Sequence, residues 1–256
     1  MAINVHKIDA HFKKIGSSFK TRPLAGHSMT PGGFRLNVQP GRKGEVFELS
    51  YQAPVQIMVL DVKPDEKHLL LHVQGRESRK FLCGHDERHF FVAGVDQYSR
   101  DVFDAMHRLQ PEPVRSSASK LPRQTRFARS NDVFKRQGEW YFIPAPDVRV
   151  SNEFILQHEP IQRGRSKPHL CQWLYRTGGV VVHVHRKHPN GITEDEFNAL
   201  PEQERKAFGW RRMTRDALVY AKGKVSHPDH ATLTLKGWHR VLLNNEVLTE
   251  EMAFLD

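Results

Sequence analysis

The histidines of this sequence form two close groups that could bind a metal ion. Of the 16 in the chain, one group is His183-Val-His185 and the other is His227-Pro-Asp-His230. On a strand, residues two apart point to the same face, so His183 and His185 would present two imidazoles together. Imidazole nitrogens suit Zn²⁺ and other divalent transition metals. His183, His185, His227 and His230 are therefore candidate ligands of a zinc-type site, although solvent-facing histidines without metal are the interpretation that the sequence favours.

A metal held by histidines can activate water, so this pattern indicates a metal-dependent hydrolase or nuclease in which Asp229 is a further ligand or base. Without metal, His183, His185 or His239 could act as a general acid or base, as in a metal-free ribonuclease. The ordinary alternative is a pair of solvent-facing histidines on an antiparallel sheet. The chain has no H-E-x-x-H motif, and whether it is an enzyme stays open.

A second group of metal-compatible residues, Cys83, His85 and His89, falls in one short segment. A β-hairpin explains this segment better, with Cys83 buried on a strand and a polar turn after it. The two cysteines of the chain, Cys83 and Cys171, are far apart and form no C-x-x-C motif. This usage argues against a disulfide framework and is typical of a reducing cytoplasm, where we expect the protein to be located.

The chain is basic, with a formal charge of +10 and a pI near 9.7, which favours polyanionic partners. Half of the excess lies in residues 111–136, which contain seven basic and two acidic residues among prolines and serines. This composition predicts an exposed connector. If it becomes helical, Arg123, Arg126 and Arg129 would form one stripe able to contact phosphates.

Two further basic groups contain Gly or Trp, as nucleic-acid-binding surfaces often do. The first group is Arg163, Arg165 and Lys167, and the second is Trp210, Arg211, Arg212 and Arg215. We therefore predict a protein that binds RNA or DNA, mainly through phosphates, as a component of a larger nucleoprotein assembly. The first alternative is the metal-dependent hydrolase or nuclease, and the second is a non-catalytic subunit that binds protein partners.

The elements that must position these residues indicate an α+β protein in two parts. Residues 1–110 predict an antiparallel β-meander with a closing helix near 96–109, preceded by turns and loop at 16–44. After the connector at 111–136, residues 137–256 predict a mixed α+β domain with a β-rich core that carries the histidines. Within it, Thr193 and Glu196 form a capping-box pattern that starts a helix at Glu194.

Other function classes lack sequence support. No apolar run is long enough to span a membrane, the first residues do not have the apolar core of a signal peptide, and we expect no membrane partner. Neither a Rossmann nor a P-loop glycine motif occurs. The segment Gly26-His-Ser28-Met-Thr does not match the serine-hydrolase elbow, because Thr30 stands where the second glycine is required.

Overall fold

The computed structural model of the protein describes residues 4–24, 31–42, 44–164 and 166–247. These residues form α-helices and four β-sheets, so the chain has the α+β class that the sequence predicts. It divides into two compact units. As far as the chain is described, the first comprises residues up to 128 together with 244–247, and the second comprises residues 129–243.

Within its described residues, the first unit contains two sheets and four helices. Its three-stranded sheet has the order β1-β3-β2, and its four-stranded sheet is a consecutive antiparallel meander, β4-β5-β6-β7. The helices are α1 (Val5–Lys14), α2 (Val102–Leu109), α3 (Glu112–Ala118) and α4 (Arg123–Phe127). The strands are β1 (Ser18–Pro23), β2 (Phe34–Gly41), β3 (Gly44–Tyr51), β4 (Gln56–Lys63), β5 (His68–Gln74), β6 (Ser78–Asp86) and β7 (His89–Val95), and a 3-10 turn covers Pro31–Gly33.

The segment predicted as turns and loop, 16–44, differs from that expectation because it contains β1 and β2. β1 pairs in parallel with β3, and β2 pairs with the other edge of β3. The buried residues of this segment, Phe19, Phe34 and Leu36, join the core beside Phe12 of α1. Packing against distant residues thus overrides a local composition of Gly, Pro and basic residues.

Both faces of the meander are covered in the first unit. On β5, Leu69 and Leu71 belong to one core cluster, while Leu70 on the opposite face packs with Val102 and Ala105 of α2 in another. Burial on both faces explains why β5 is apolar without the alternation of a half-exposed strand.

The predicted connector, 111–136, contains α3, α4 and the start of the next strand rather than an extended linker. Pro111 and Pro122 stand at the N-caps of the two helices, and Val114 and Ala118 of α3 are fully buried. The division between the two units falls within this segment, after Ala128.

The second unit has a six-stranded antiparallel sheet, β10-β11-β15-β16-β9-β8, and a three-stranded sheet, β13-β12-β14. Its strands are β8 (Lys135–Gln137), β9 (Trp140–Pro144), β10 (Leu156–Ile161), β11 (His169–Thr177), β12 (Val180–His185), β13 (His188–Thr193), β14 (Arg211–Arg215), β15 (Leu218–His227) and β16 (His230–Leu243). Its helices are α5 (Glu194–Asn198) and α6 (Glu202–Arg205), and a 3-10 turn covers Asn152–Phe154. The predicted capping box of Thr193 and Glu196 is confirmed at the start of α5.

The long strands of the six-stranded sheet form the core of the second unit and set the position of the histidines. β11 and β15 pair from Leu170 with Ser226 at one end to Thr177 with Leu218 at the other. Buried Cys171, Leu174 and Val225 pack on this sheet together with Trp140 and Phe142 of β9.

Candidate metal centre

Three strand ends of the six-stranded sheet bring His169, His227 and His230 together. His169 is the first residue of β11, His227 the last of β15, and His230 the first of β16. His227 and His230 are cross-strand partners on either side of a two-residue turn. Since Leu170 pairs with Ser226 in the antiparallel register, His169 comes directly beside His227. One potential ligand atom from each histidine lies within 4.8 Å of the others, and we call these three residues the histidine site.

The imidazole ring of His169 stacks on those of His227 and His230, and the rings of His227 and His230 are tilted to each other. The ring centroids of His169 and His227 are 4.1 Å apart with planes 22° apart, and His227 and His230 are separated by 4.7 Å and 31°. Nitrogen ligands of one tetrahedral metal ion lie about 3.4 Å from each other, given metal–nitrogen distances of about 2.0–2.1 Å. Coordination of a shared ion would therefore require the rings to turn so that their nitrogen atoms point to one centre.

The turn between β8 and β9 lies against two of these rings. Gly138 in that turn has a φ of +58°, and a Cβ atom there would come within 2.9 Å of His230 Nε2 and 3.5 Å of His169 Nε2. The glycine thus leaves open a space that a larger residue would fill, and two Nε2 atoms border this space.

Gln137 sets the orientation of the His169 ring and places a hydrogen on its Nδ1. Both residues are buried, and the Gln137 amide nitrogen donates hydrogen bonds to the carbonyl oxygens of Val225 and Ala231, at 3.2 and 2.6 Å. Its Oε1 must then be the acceptor in the 3.0 Å hydrogen bond with His169 Nδ1. Nδ1 carries the hydrogen, and in the neutral ring Nε2 has a free lone pair, as is typical of metal-binding histidines.

Glu139 faces the same Nε2 atom. Its Oε2 lies 3.7 Å from His169 Nε2, and the Glu139 side chain is 22% exposed. Burial alone would raise the pKa of the Glu139 carboxyl, but the nearby His169 in its protonated form and the charge of Arg163 outweigh burial and lower the pKa. The pair would be stabilised by a cation, either the proton on Nε2 of a charged His169 or a metal ion bound to Nε2 of the neutral ring.

His227 is held neutral in this cluster. Burial lowers its pKa, and the neighbouring His169 and His230 lower the pKa further, against smaller opposite effects of Asp229 and the Lys167 backbone. The backbone N–H of Asp229 donates to His227 Nδ1 at 3.1 Å. Either this hydrogen bond or the ring tautomer must change for His227 to coordinate a metal, at a cost of about 1 kcal/mol.

The histidine set predicted from the sequence is divided between two sheets. His227 and His230 are in the histidine site, whereas His183 and His185 lie on β12 in the three-stranded sheet. There, His183 stacks on Phe197 with ring centroids 4.0 Å apart and pairs with Glu194 at 2.8 Å. A group that we call the Trp210 cluster comprises His183, His185, His188, Phe197 and Trp210.

The side chains of the other candidate catalytic residues have partners outside the histidine site. Asp229 is in the turn between β15 and β16, where both carboxylate oxygens bind Lys167 Nζ at 2.8 Å. His239 is buried on β16, its Nδ1 is 2.8 Å from the carbonyl oxygen of Gly237, and burial lowers its pKa.

The arginines expected to form one helical stripe have separate roles. Arg123 lies over the ring of Phe103 at 4.5 Å, and Arg126 donates to the backbone carbonyls of Ser119 and Leu121. Because α4 ends at Phe127 and Ala128 is extended, Arg129 is not on the helix and belongs to the second unit.

The remaining basic candidates lie near one or the other histidine group. Arg163 and Lys167 are in the loop between β10 and β11, and Arg165 is outside the described residues. Trp210 donates its indole N–H to the Glu204 carbonyl at 2.9 Å and stacks on His185. Arg211 and Arg212 are exposed, and Arg215 donates to the carbonyls of Asn190 and Gly191.

The segment with Cys83, His85 and His89 forms the hairpin favoured above. Cys83 is fully buried on β6, and Asp86 pairs with His89 on β7. Burial raises the pKa of the Cys83 thiol and that of Cys171, the latter to about 12, so both cysteines are protonated. Among the described residues, the histidine site is the group of three whose metal-binding atoms converge.

Sequence reasoning missed His169, Gln137 and Glu139 as members of the site. His169 lies 58 positions before His227 in the sequence, and no local motif connects the two residues. His169 follows Pro168 at the start of a strand. This position indicates a site residue only when the pairing of β11 with β15, which brings His169 beside His227, is known.

Comparisons with known proteins do not assign a function to this geometry. No protein-family model, curated protein or solved structure matches the chain. In the described part of the chain, no helix has the length and apolar character to cross a membrane.

Proposed function

We propose that the protein is a metal-dependent hydrolase whose metal ion, of the zinc type, is bound by His169, His227 and His230. The observation that carries the proposal is the convergence of their ligand atoms, within 4.8 Å, beside the carboxylate of Glu139. This set replaces His183 and His185 of the sequence hypothesis with His169.

The surroundings of His169 support a metal ligand. Its Nδ1 is held by Gln137, which leaves Nε2 as the coordinating atom. The backbone at Gly138 leaves room beside Nε2 of both His169 and His230. Three imidazoles with one neighbouring carboxylate are typical ligands and partners for divalent zinc.

Three protein ligands leave a fourth position of a tetrahedral ion for water. A bound Zn²⁺ lowers the pKa of such a water to about 7, so that hydroxide can form near neutral pH. Glu139 would be placed to accept the proton of that water, because its carboxylate lies 3.7 Å from His169 Nε2 and is partly exposed. These properties favour hydrolysis as the reaction class.

The test compares two matched pairs of partly buried histidines. We expect zinc-loaded wild-type protein, dialysed and analysed by elemental mass spectrometry, to retain about one ion per chain. The variant His227→Ala/His230→Ala should lose it, because two of three ligands are gone. The control variant His183→Ala/His185→Ala should keep it, since these residues lie on β12.

The same preparations test the chemistry through hydrolysis of p-nitrophenyl acetate. Activity that needs zinc and disappears only in the His227/His230 variant would support the proposal. Zinc retained by that variant, or lost by the folded control, would refute the assignment of the ligands. Stoichiometric zinc without zinc-dependent hydrolysis would refute the enzymatic role.

A further inference from the structure

Four aromatic side chains lie on three adjacent inner strands of the six-stranded sheet. Tyr175 on β11 and Tyr220 on β15 are cross-strand partners, and their rings stack with centroids 6.1 Å apart. The ring of Trp238 on β16 meets Tyr175 edge-on, with centroids 6.5 Å apart. Trp173, two residues before Tyr175, points to the same side of β11. We call Trp173, Tyr175, Tyr220 and Trp238 the aromatic patch.

Two basic residues are part of the same surface. Lys222 on β15 is the cross-strand partner of Trp173, and its Nζ lies 5.7 Å from the ring centroid of Trp173 and 6.0 Å from that of Trp238. Arg240 on β16 is the cross-strand partner of Tyr220. In the described part of the chain, no carboxylate pairs with Lys222 or Arg240. Both positive charges are therefore available to an external anion.

The aromatic patch is at the surface of the second unit and not in its core. All four rings are partly exposed, as are Lys222 and Arg240, whereas the core contains fully buried residues such as Cys171 and Leu174. The strands β11, β15 and β16 contain no acidic residue. Their basic residues are Arg176, Lys222, Lys224, Lys236 and Arg240. Accessible aromatic rings among positive charges are the features with which proteins hold stacked bases and the phosphates between them.

We propose that this surface binds single-stranded nucleic acid, with bases stacked on the aromatic patch and phosphates in contact with Lys222 and Arg240. Every base has a flat face that can stack on an aromatic ring, so such binding tolerates any sequence. The lysine side chain is flexible, so Nζ of Lys222 can move from the two indoles to a phosphate when bases stack on them.

The combination of rings and charges favours a single strand over other polyanions. A duplex keeps the faces of its bases in its own stack and would use the charges alone. An acidic protein would likewise depend on the charges and gain little from four adjacent rings. The surface needs no metal ion, so the proposal is independent of the hydrolase proposed above.

The test measures binding of full-length protein to a fluorescent oligothymidylate of about 12 nucleotides, within the usual range of site sizes, by fluorescence anisotropy in the presence of EDTA. In Trp238→Leu we expect affinity to fall about tenfold, because one stacking contact is lost. The control Trp210→Leu removes a partly exposed indole of the Trp210 cluster and should leave affinity unchanged. Circular dichroism verifies that both variants are folded.

A second variant tests the same surface without removing an aromatic ring. Lys222→Gln should weaken binding and reduce the slope of log affinity against log salt concentration by about 0.7, the value for one phosphate contact on a single strand. The control Lys187→Gln removes an exposed lysine between β12 and β13 and should keep the wild-type affinity and slope. This pair keeps the proposal testable even if Trp238→Leu does not fold.

The proposal is supported if the single strand binds more tightly than its duplex with oligoadenylate and if Trp238→Leu and Lys222→Gln weaken binding while their controls do not. Equal affinity for the duplex or for polyglutamate would mean that charge alone is recognised, and would overturn it. Wild-type affinity in both patch variants, or no binding of the oligonucleotide at low salt, would also overturn it. Because EDTA is present throughout, these results leave the metal site to be judged by its own experiment.

Discussion

At the scale of single residues, the pair formed by His169 and Glu139 is the most informative part of the second unit. Two carbonyl oxygens orient the Gln137 amide, the amide orients His169, and Nε2 of His169 then faces a carboxylate oxygen at 3.7 Å. Two acceptors face each other favourably when a cation, either a proton or a metal ion, lies between them. These hydrogen bonds place a hydrogen on Nδ1 of His169, a position that the residue types His and Glu do not specify by themselves.

Gly138 provides a test at this scale, because the substitution Gly138→Ala adds a methyl group where two Nε2 atoms converge. The new Cβ would be 2.9 Å from His230 Nε2, so the ring must move. We expect zinc affinity to fall about tenfold or more, in the range seen when groups that orient metal ligands are changed. The measurement is a competition titration against a chromophoric chelator.

A matched control separates crowding from backbone strain. Gly178 also has a left-handed φ, +68°, but a Cβ atom there would meet nothing within 4 Å. Gly178→Ala should cost similar conformational energy, about 1 kcal/mol, and retain wild-type zinc affinity. Equal zinc affinity in both variants would show that the space beside Gly138 is not a metal position.

Part of this site could be predicted from the sequence. His227 and His230 flank Pro-Asp, a turn sequence, so their proximity follows from local chain geometry. The position of His169 depends on the pairing of β11 with β15, and that of Glu139 depends on the path of the turn after β8. Neither can be predicted from the spacing of residues in the sequence. His183 and His185 do share a face of β12, but their neighbours are Phe197 and Trp210 rather than the second histidine pair.

At the scale of elements, Gln137 connects β8 to the hairpin of β15 and β16. Its side chain is buried and binds the backbone of Val225 and Ala231. β8 contains only Lys135–Gln137, and Gln137 is its last residue before the turn to β9. The position of the turn that carries Gly138 and Glu139 therefore depends on this side chain.

The substitution Gln137→Leu removes these hydrogen bonds while keeping a side chain of similar size. We expect the free energy of unfolding to fall by roughly 2 kcal/mol, because buried carbonyl groups lose a donor. Zinc affinity should fall as well, since His169 loses the partner of Nδ1. Urea unfolding and the chelator titration measure the two effects.

Gln157 on β10 supplies the control for this substitution. It is exposed, so Gln157→Leu should change the free energy of unfolding by less than about 0.5 kcal/mol and leave zinc affinity unchanged. If Gln137→Leu behaved like Gln157→Leu, the orienting role of Gln137 would be wrong.

The sequence predicts some of the helices and strands but not others. The strands of the meander and the start of α5 follow from apolar runs, turn residues and the capping box. The edge strands β1 and β2 were missed, because their few buried residues, such as Phe19 and Leu36, are separated by basic and turn-forming residues. α3 and α4 are short helices in a segment whose prolines and serines are typical of linkers, and burial of Val114 stabilises the first.

At the scale of the whole molecule, each unit has a core of its own, and all four tryptophans belong to the second unit. They are Trp140, Trp173, Trp210 and Trp238. Tryptophan fluorescence therefore reports unfolding of the second unit, while circular dichroism reports both units.

Leucine-to-alanine substitutions in the two cores test this division. Leu174 is fully buried in the second unit and Leu71 in the first. Leu174→Ala should destabilise the second unit by about 2–5 kcal/mol and shift the fluorescence transition in urea to lower concentration. Leu71→Ala should shift the circular dichroism signal and leave the fluorescence transition in place. An equal fluorescence shift in both variants would mean that the chain unfolds as one cooperative body.

The pairing of Thr177 with Leu218 has a consequence for the engineering of this chain. Residues 178–217, which include the Trp210 cluster, leave the six-stranded sheet and return to it at neighbouring positions. They connect two strands that pair as an antiparallel hairpin, at the end of β11 opposite His169. A tight turn from Thr177 to Leu218 would close that hairpin and keep every residue of the histidine site, so residues 178–217 could be removed or exchanged at this junction.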